Sequence, residues 1–382
     1  MKFVLYTVCI SPHQLPLMRL LIEALSPEEC RYIYTEELEK GRKDLGWAEE
    51  NASWLVYEKD EPEKCREWLN DCDVLISGIR DFDLFESRVS RGKRTIYSSE
   101  RWFKPVLWKG FEIPGALKLL HPGYLRMALR FRRLLRSKSS DSFSYYPISM
   151  NAARDAAFLC SGSRKVEFER IPGGKVTGKM TAAWQEKLRL WAYFVQASSI
   201  DYNIQKKRRA NEKAMIVSGE RILRLLWVGR MLALKNVDCI IEALRKALQK
   251  NEKISLTLVG DGPEKERLKA LADGLPVEFK PFVPINEIRS IMQSHDMYIF
   301  ASNSFDGWGA VVNEAIEEGM TVVASRESGS GATILPESCV FDCKESSALS
   351  KLILSYTELP VISPEIWSAK AAADHLLESV LK

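Results

Sequence analysis

The sequence predicts an α/β protein of two doubly wound, Rossmann-like domains. Short apolar runs alternate with amphipathic helical stretches along both halves of the chain, which is typical of parallel sheets covered by helices. The 382 residues are enough for two domains of ordinary size, each with its own core. A composition of 46% hydrophobic and 28% charged residues indicates a folded, globular chain.

The first domain is predicted to span residues 1–200. Its strands are short apolar runs bounded by turn-forming residues, and its helices repeat apolar residues at helical spacing. The predicted strands are residues 2–9, 31–35, 53–57, 73–78, 94–98, 157–161 and 188–195, and the predicted helices are residues 15–25 and 62–70.

A polar stretch, residues 201–219, is predicted as the linker to a second domain of residues 220–363. The second domain repeats the alternation of strands and helices. Its predicted strands are residues 221–228, 254–259, 277–279, 297–301 and 321–324, and its predicted helices are residues 237–249, 263–272 and 286–294.

Two carboxylates, Asp306 and Glu314, lie eight positions apart around a turn that opens a helix. Backbone N–H groups of that turn, at Gly307, Trp308 and Gly309, would face an anion at the positive end of the helix. Glu314 could accept two hydrogen bonds from a ribose diol. The alternative is that both carboxylates only cap or solvate the helix.

Arg230 and Lys235 follow the predicted strand 221–228. Parallel sheets bind their ligands at the carboxyl ends of strands. A guanidinium and an ammonium at this edge would match a pyrophosphate, the first by its fork geometry and the second as a point charge. The alternative is two solvated basic residues on a surface loop.

These motifs occur in the order seen in a known family. Gly229-Arg230 with Lys235, the turn at 259–264 and the segment from Asp306 to Glu314 resemble the retaining glycosyltransferases of the family-4 type, over residues 221–325. The resemblance implies the GT-B fold, two Rossmann-like domains facing a cleft. It also implies transfer of a sugar from a nucleoside diphosphate donor with retention at the anomeric carbon. The family has Glu where Asp306 stands, which shortens the side chain that would hold the sugar.

The resemblance further implies the roles of the donor-site residues. Arg230 and Lys235 would stabilise charge on the leaving phosphate, Asp306 would hold sugar hydroxyls, and Glu314 would hold the ribose. The loop at Val283 would read the donor base through its backbone. The nucleotide sugar is then a co-substrate, and neither a cofactor nor a metal is expected.

Acceptor recognition is assigned by the resemblance to the first domain. His13, after the first strand, and Glu100, after the strand 94–98, are the candidate residues near the reacting centre. The terminal helix, about residues 364–382, would return to pack on that domain. The expected acceptor is a saccharide or a lipid-linked saccharide, in surface polysaccharide or glycolipid assembly.

Two rival motifs are weaker. Gly260-Asp261-Gly262 follows a strand, but position 265 is lysine where a dinucleotide fingerprint needs its third glycine. Asp81-Phe82-Asp83 is a DxD, the metal-binding signature of the other large glycosyltransferase fold, and it is interpreted as a pair of loop acids.

Residues 118–138 are predicted to form a basic amphipathic helix without an acidic residue. Such a helix could lie on an anionic membrane surface, or it could pack its leucines on the domain and solvate its arginines. Nucleic acid is not an expected partner, because the chain has a net charge of only +4 and no recognisable nucleic-acid-binding motif.

The eight cysteines lack zinc or disulfide spacing, and the amino terminus lacks a signal-peptide pattern. A cytoplasmic protein is therefore expected, and the basic helix would allow it to attach peripherally to the inner face of the membrane. Two alternatives to a glycosyltransferase stay open at this point. They are a sugar-nucleotide epimerase of the same fold and a nucleotide-sugar-binding subunit without catalysis.

Overall fold

The structure, a computed structural model, describes residues 1–39, 47, 52–108, 111–136, 142–251 and 253–381. The described residues form two compact units. The first unit contains the residues up to Val195 together with those from Ile366 onward, and the second contains Gln196–Glu365. Both are parallel sheets with helices, so the predicted fold class of two doubly wound halves is confirmed.

The first unit is built on a six-stranded parallel sheet with strand order β3-β2-β1-β4-β5-β8. The sheet strands are β1 Phe3–Thr7, β2 Cys30–Tyr34, β3 Leu55–Tyr57, β4 Val74–Ser77, β5 Arg94–Ser99 and β8 Phe143–Pro147. Two antiparallel pairs flank them, β6 Val106–Trp108 with β7 Phe111–Ile113 and β9 Val166–Phe168 with β10 Val176–Gly178. All five residues of β1 are buried, as expected for a central strand covered on both faces.

Helices cover both faces of this sheet. They are α1 Leu15–Leu25, α2 Pro62–Asp71, α3 Phe82–Ser90, α4 Pro122–Arg136, α5 Met150–Ser161 and α6 Ala182–Lys187. The predicted strand 157–161 is wrong, because these residues are the end of α5. The predicted strand 188–195 is reduced to isolated bridges, such as the one between Leu188 and Tyr145.

The second unit contains another six-stranded parallel sheet, with order β13-β12-β11-β14-β15-β16. Its strands are β11 Leu223–Val228, β12 Ile254–Val259, β13 Val277–Lys280, β14 Met297–Phe300, β15 Thr321–Ser325 and β16 Val340–Phe341. Its helices are α7 Tyr202–Val217, α8 Val237–Leu248, α9 Lys265–Leu271, α10 Ile285–Gln293, α11 Val311–Glu317, α12 Gly329–Ile334 and α13 Ser346–Leu354.

The predicted linker, residues 201–219, differs from the structure. It contains α7, which is capped by Asp201 and packs within the second unit. Arg209 of α7 is 1% exposed and donates to the carbonyl oxygens of Met292 (3.3 Å) and Glu318 (3.2 Å). A buried arginine, rather than a stripe of apolar side chains, attaches this helix to the second unit. The helix therefore has a polar sequence, which is also typical of a linker.

The terminal helix α14, Ala369–Leu381, belongs to the first unit. The imidazole of His375 lies 3.0 Å from the Tyr146 hydroxyl, and Arg94 donates to the carbonyl oxygen of Ser379. The two hydrogen bonds attach the helix beside the ends of β5 and β8.

Helix α4 satisfies only part of the prediction for residues 118–138. Its side chains Ala128, Phe131, Leu134 and Leu135 are buried in the first unit. Leu125 and Leu129 on another face are 45% and 53% exposed. The end of the predicted helix, residues 137–138, lies outside the described residues. Within the described part of the chain, none of the helices has the length and apolar content needed to cross a bilayer.

Candidate donor site in the second unit

Two loops meet where the strand order of the second sheet reverses. Strands β11 and β14 are neighbours there, and each is followed by a loop at the carboxyl edge, the position where doubly wound sheets bind ligands. The side-chain amide of Asn236 donates to the carbonyl oxygen of Ala301 (3.0 Å). The N–H of Asn303 donates to the carbonyl oxygen of Leu234 (2.9 Å). The two loops therefore form one hydrogen-bonded surface.

Lys235 and Asp306 form an ion pair on this surface. The ammonium nitrogen lies 2.5 Å from a carboxylate oxygen, and the two side chains are only 19% and 17% exposed. Burial alone would raise the pKa of Asp306, but Lys235 and the N–H of Gly307 more than offset it, so the pKa is lowered. Asp306 is therefore ionised at neutral pH and holds the ammonium at the edge of the sheet.

Arg230 lies on the first of the two loops and is exposed. None of the residues that the structure describes forms a hydrogen bond or ion pair with its guanidinium. A positive charge near the Lys235–Asp306 pair is thus available to an anion.

Glu314 is a buried carboxyl group in the first turn of α11, with 7% of the residue exposed. Burial raises its pKa to about 7, Glu318 adds to the effect and Arg289 opposes it. In the described part of the chain, no side chain or backbone group donates a hydrogen bond to this carboxyl. A carboxyl group that is buried without a hydrogen-bond donor destabilises the folded protein, because it has lost its hydrogen bonds to water. A ligand hydroxyl that donates to the carboxyl would restore this free energy.

The turn between Asp306 and α11 requires glycine at position 309. Gly309 has a φ of +84°, and a Cβ there would collide with the ring of Phe300. The side chain of Trp308 is 2% exposed, and its indole N–H donates to Asn313 (2.7 Å). Trp308 was predicted among the donor-binding residues. Because its ring packs inward, only its backbone is left for such a contact.

Ser330 is a neighbour of this turn that the sequence analysis did not single out as a site residue. Its hydroxyl is buried, and among the described residues it has no hydrogen-bond partner. The Ser330 Oγ lies 3.2 Å from the position a Cβ on Gly309 would take. The glycines on both sides of Ser330 were the available signal, since they allow a close approach of backbone at a sheet edge.

Val283 and the turn at 260–262 complete this edge. Val283 follows β13, which is the outer neighbour of β12. Gly260 and Gly262 support the loop after β11, because a Cβ on either would collide with the backbone of Gly229 or Met231. The glycine turn is therefore a structural corner.

The candidate residues of the first unit also lie after strands of its sheet. His13 packs edge-on against Trp47, with ring centroids 5.6 Å apart, and burial lowers its pKa to about 4. Glu100 pairs with Lys104 (2.6 Å). Tyr193, which sequence reasoning missed, lies 3.5 Å from the Glu100 carboxylate, and its ring centroid lies 6.3 Å from that of His13. His13 is therefore neutral at pH 7. Tyr193 contacts both the ring of His13 and the carboxylate of Glu100.

The DxD acids have local partners. Asp81 accepts a hydrogen bond from the N–H of Leu84 and caps α3, and Asp83 pairs with Arg130 (2.7 Å). Asp83 is thus a helix residue rather than a loop acid. Across the ranges that the structure describes, His, Cys, Asp and Glu side chains form no group of three able to hold a metal ion.

The profile of the family described as "Glycosyl transferases group 1" matches residues 209–374. This range contains all the residues described above at the carboxyl edge of the second sheet. Residues 209–374 are a group 1 glycosyltransferase domain. The chain is 29% identical over 178 residues to the sulfoquinovosyl transferase SQD2 of Arabidopsis thaliana, covering 46% of this chain and 33% of the relative.

A second relative of the group 1 glycosyltransferase domain is mycobacterial. The GDP-mannose-dependent alpha-(1-6)-phosphatidylinositol dimannoside mannosyltransferase of Mycobacterium tuberculosis is 24% identical over 198 residues, covering 51% of this chain and 48% of the relative. This chain thus spans a third to a half of the length of these relatives.

Solved structures extend the likeness in fold to the whole chain. The crystal structure of Anabaena Alr3699/HepE in complex with UDP superposes with a TM-score of 0.62 at 14% identity, covering 100% of both chains. At this identity the likeness shows the fold. The predicted GT-B fold is therefore confirmed.

Proposed function

We propose that the chain is a retaining glycosyltransferase. It moves a sugar from a nucleoside diphosphate donor to a hydroxyl of a saccharide or lipid-linked saccharide, in surface polysaccharide or glycolipid assembly. The observation that carries the proposal is the edge of the second sheet, where Arg230 lies on the same loop as Lys235 of the Lys235–Asp306 pair and Glu314 is buried at the start of the following helix. Among the described residues, neither the Arg230 guanidinium nor the Glu314 carboxyl has a hydrogen-bond partner. The UDP in the Anabaena structure and the GDP-mannose in the mycobacterial relative's name support a nucleotide sugar.

In the proposed step the bond between the anomeric carbon and the diphosphate oxygen breaks. A bond from the acceptor oxygen to the same carbon forms on the same face of the sugar, and the acceptor proton passes to the leaving phosphate. Lys235 and Arg230 stabilise the charge that develops on this phosphate, Asp306 orients sugar hydroxyls, and Glu314 accepts from the ribose diol. The two cations make a divalent metal unnecessary for donor binding.

Acceptor binding is proposed for the first unit. Neutral His13 can donate to and accept from sugar hydroxyls, because its imidazole carries one N–H and one free nitrogen above pH 4. Glu100 is held by Lys104 and can accept from a hydroxyl with its remaining lone pairs.

Turnover by the purified chain tests the proposed activity. With UDP-, GDP- and ADP-sugars, we expect slow release of one nucleoside diphosphate without acceptor and faster release with an extract of glycolipid acceptors. Conversion of the donor sugar without nucleotide release would identify an epimerase. Tight donor binding without any turnover would identify a binding subunit.

We also propose that the first unit associates peripherally with anionic membranes on the cytoplasmic side. Leu120, Leu125 and Leu129 are 81%, 45% and 53% exposed, and Arg126 and Arg133 are exposed beside them. The four residues in α4, at positions 125, 126, 129 and 133, share one helix face by their spacing, and Leu120 lies in the 3₁₀ turn that precedes the helix. Apolar side chains flanked by arginines match the boundary between acyl chains and anionic headgroups.

Removing both arginines tests the membrane surface. Because each basic residue contributes roughly 1 kcal/mol near an anionic surface, R126Q/R133Q should weaken binding to phosphatidylserine-rich vesicles by about 30-fold. Vesicle flotation measures the change, and K179Q, which removes an exposed lysine elsewhere on the same unit, is the matched control. Equal binding by all three proteins would exclude this surface.

A further inference from the structure

A second group of positive charges lies at the carboxyl edge of the first sheet. Arg80 follows β4, while Arg101 and Lys104 follow β5. Lys118 lies in the 3₁₀ turn Gly115–Leu120, which packs on the backbone of Phe103 and Lys104 in the loop after β5. These four residues form the Arg80–Lys118 cluster. They belong to the first unit and have no part in the proposed donor site of the second unit.

Arg80 is held in a fixed position by aromatic side chains. Its Nε donates to the hydroxyl of Tyr97 (3.0 Å), and its guanidinium lies 4.4 Å from the centroid of the Trp102 ring. Both aromatic residues are 1% exposed. Among the described residues no carboxylate pairs with Arg80, so the charge is oriented but not neutralised.

The side-chain ammonium of Lys118 has no hydrogen bond or ion pair with any residue that the structure describes, although its backbone carbonyl accepts from the N–H of His121 (3.0 Å). Partial burial lowers the pKa of its ammonium, as do the neighbouring charges of Arg80, Lys104 and Arg101, with only Asp155 opposing. The 3₁₀ turn cannot shift easily, because Gly115 packs directly on the backbone of Phe103 and Lys104, where a Cβ would collide. The fold therefore holds like charges together.

The carboxylates in this region already have partners. Asp155 is fully buried and pairs with Arg101 (3.3 Å) and Arg164 (3.3 Å). Glu100 pairs with Lys104. Among the residues that the structure describes here, five cations thus share two carboxylates, and the charges left without a carboxylate partner are those of Arg80 and Lys118. An anion between these two side chains would relieve the repulsion that the fold imposes.

We propose that the Arg80–Lys118 cluster binds a phosphate group of the acceptor. The inference rests on the proposed function and names the acceptor class as a phosphate ester. A guanidinium on a rigid aromatic support offers a fork of N–H donors to phosphate oxygens, and the ammonium adds a point charge. The phosphate belongs either to a lipid headgroup or to a free sugar phosphate. The guanidinium and the ammonium would recognise its oxygens in the same way in both cases.

Binding measurements test this without any turnover. The soluble probe is glycerol 3-phosphate, titrated by ³¹P NMR, and the lipid probe is phosphatidic acid in phosphatidylcholine vesicles, with phosphatidylserine vesicles of equal surface charge for comparison. We expect K118A and R80Q each to weaken phosphate-ester binding by about tenfold or more. K179A, which removes an exposed lysine elsewhere on the same unit, should bind like the wild type. Saturable binding of the soluble probe indicates a free sugar phosphate, and binding to phosphatidic acid vesicles alone indicates a lipid headgroup.

Three results would overturn the inference. They are wild-type binding by both K118A and R80Q, an equal loss in K179A, or no binding of the soluble probe together with no preference for phosphatidic acid vesicles over phosphatidylserine vesicles. Nucleoside diphosphate binding by K118A reports separately that the chain is folded and that its donor site is intact. Loss of phosphate-ester binding with that signal retained distinguishes this site from the proposed donor function.

Discussion

Replacing Lys235 by alanine is expected to lower kcat by about 10²- to 10³-fold, the scale of removing one preorganised donor to a developing negative charge. The ammonium is held by Asp306 at 2.5 Å and is therefore in place before the donor phosphate arrives. Steady-state kinetics with a saturating donor measures the loss.

The ion pair complicates the interpretation of K235A, because the variant leaves Asp306 mostly buried without its partner. We expect the free energy of unfolding to fall by about 1–3 kcal/mol for that reason. The double variant K235A/D306N removes the unpaired charge and should recover most of the stability but none of the turnover. Recovery of turnover together with stability would mean that neither Lys235 nor Asp306 acts in catalysis.

The second large effect is expected at Glu314, where stability and ligand binding should change in opposite directions. The folded protein binds the Glu314 proton more tightly than the unfolded chain does, since the pKa rises from 4.5 to about 7. Stability is therefore lost as the pH rises from 4.5 through 7. At pH 8, E314Q should raise the free energy of unfolding by up to about 3 kcal/mol, and the gain should shrink below pH 7.

The same variant should bind nucleoside diphosphate about 10- to 100-fold more weakly, because hydrogen bonds to a charged acceptor contribute about 1.5–3 kcal/mol. Wild-type affinity should fall as the pH drops below 7, and that dependence should be weaker in E314Q, where only the terminal phosphate of the ligand still titrates. Calorimetry at pH 6 and 8 measures both.

E317Q is the matched control, since Glu317 is a buried neighbour on α11 whose carboxylate already accepts from the N–H of Ser198 (3.0 Å). Unchanged nucleotide affinity in E314Q would exclude Glu314 as the ribose ligand.

Much of the fold could be predicted from local pattern. Helix α1 has the predicted bounds, and β12 coincides with the predicted strand 254–259. Helix α5 was missed because it is buried nearly all round, which removes the helical periodicity and leaves an apolar run that resembles a strand. The signal available was Ser149, whose side chain caps the helix by accepting from the N–H of Ala152.

The sequence predicted which residues form the candidate site, but it could not predict the contacts between them. Arg230, Lys235, Asp306 and Glu314 were predicted as site residues from spacing and from the family resemblance, and their roles stay predictions. The Lys235–Asp306 pair depends on β11 and β14 being adjacent, which is a property of strand order, and 71 residues separate the two side chains in sequence. The burial of Glu314 and the inward packing of Trp308 depend on the same tertiary arrangement. That Arg80 and Lys118 have no carboxylate partner among the described residues likewise depends on which side chains surround them in the fold.

The most direct test of the central claim is binding of nucleotides to the purified chain in EDTA, by thermal shift against the diphosphates UDP, GDP and ADP and the monophosphate CMP. We predict that one diphosphate stabilises the wild type, by about 2.7 kcal/mol at 100 times its dissociation constant, and that K235A and E314Q lose most of this shift. No shift with any of the diphosphates, or a shift that both variants retain in full, would contradict a donor site at this edge of the second sheet.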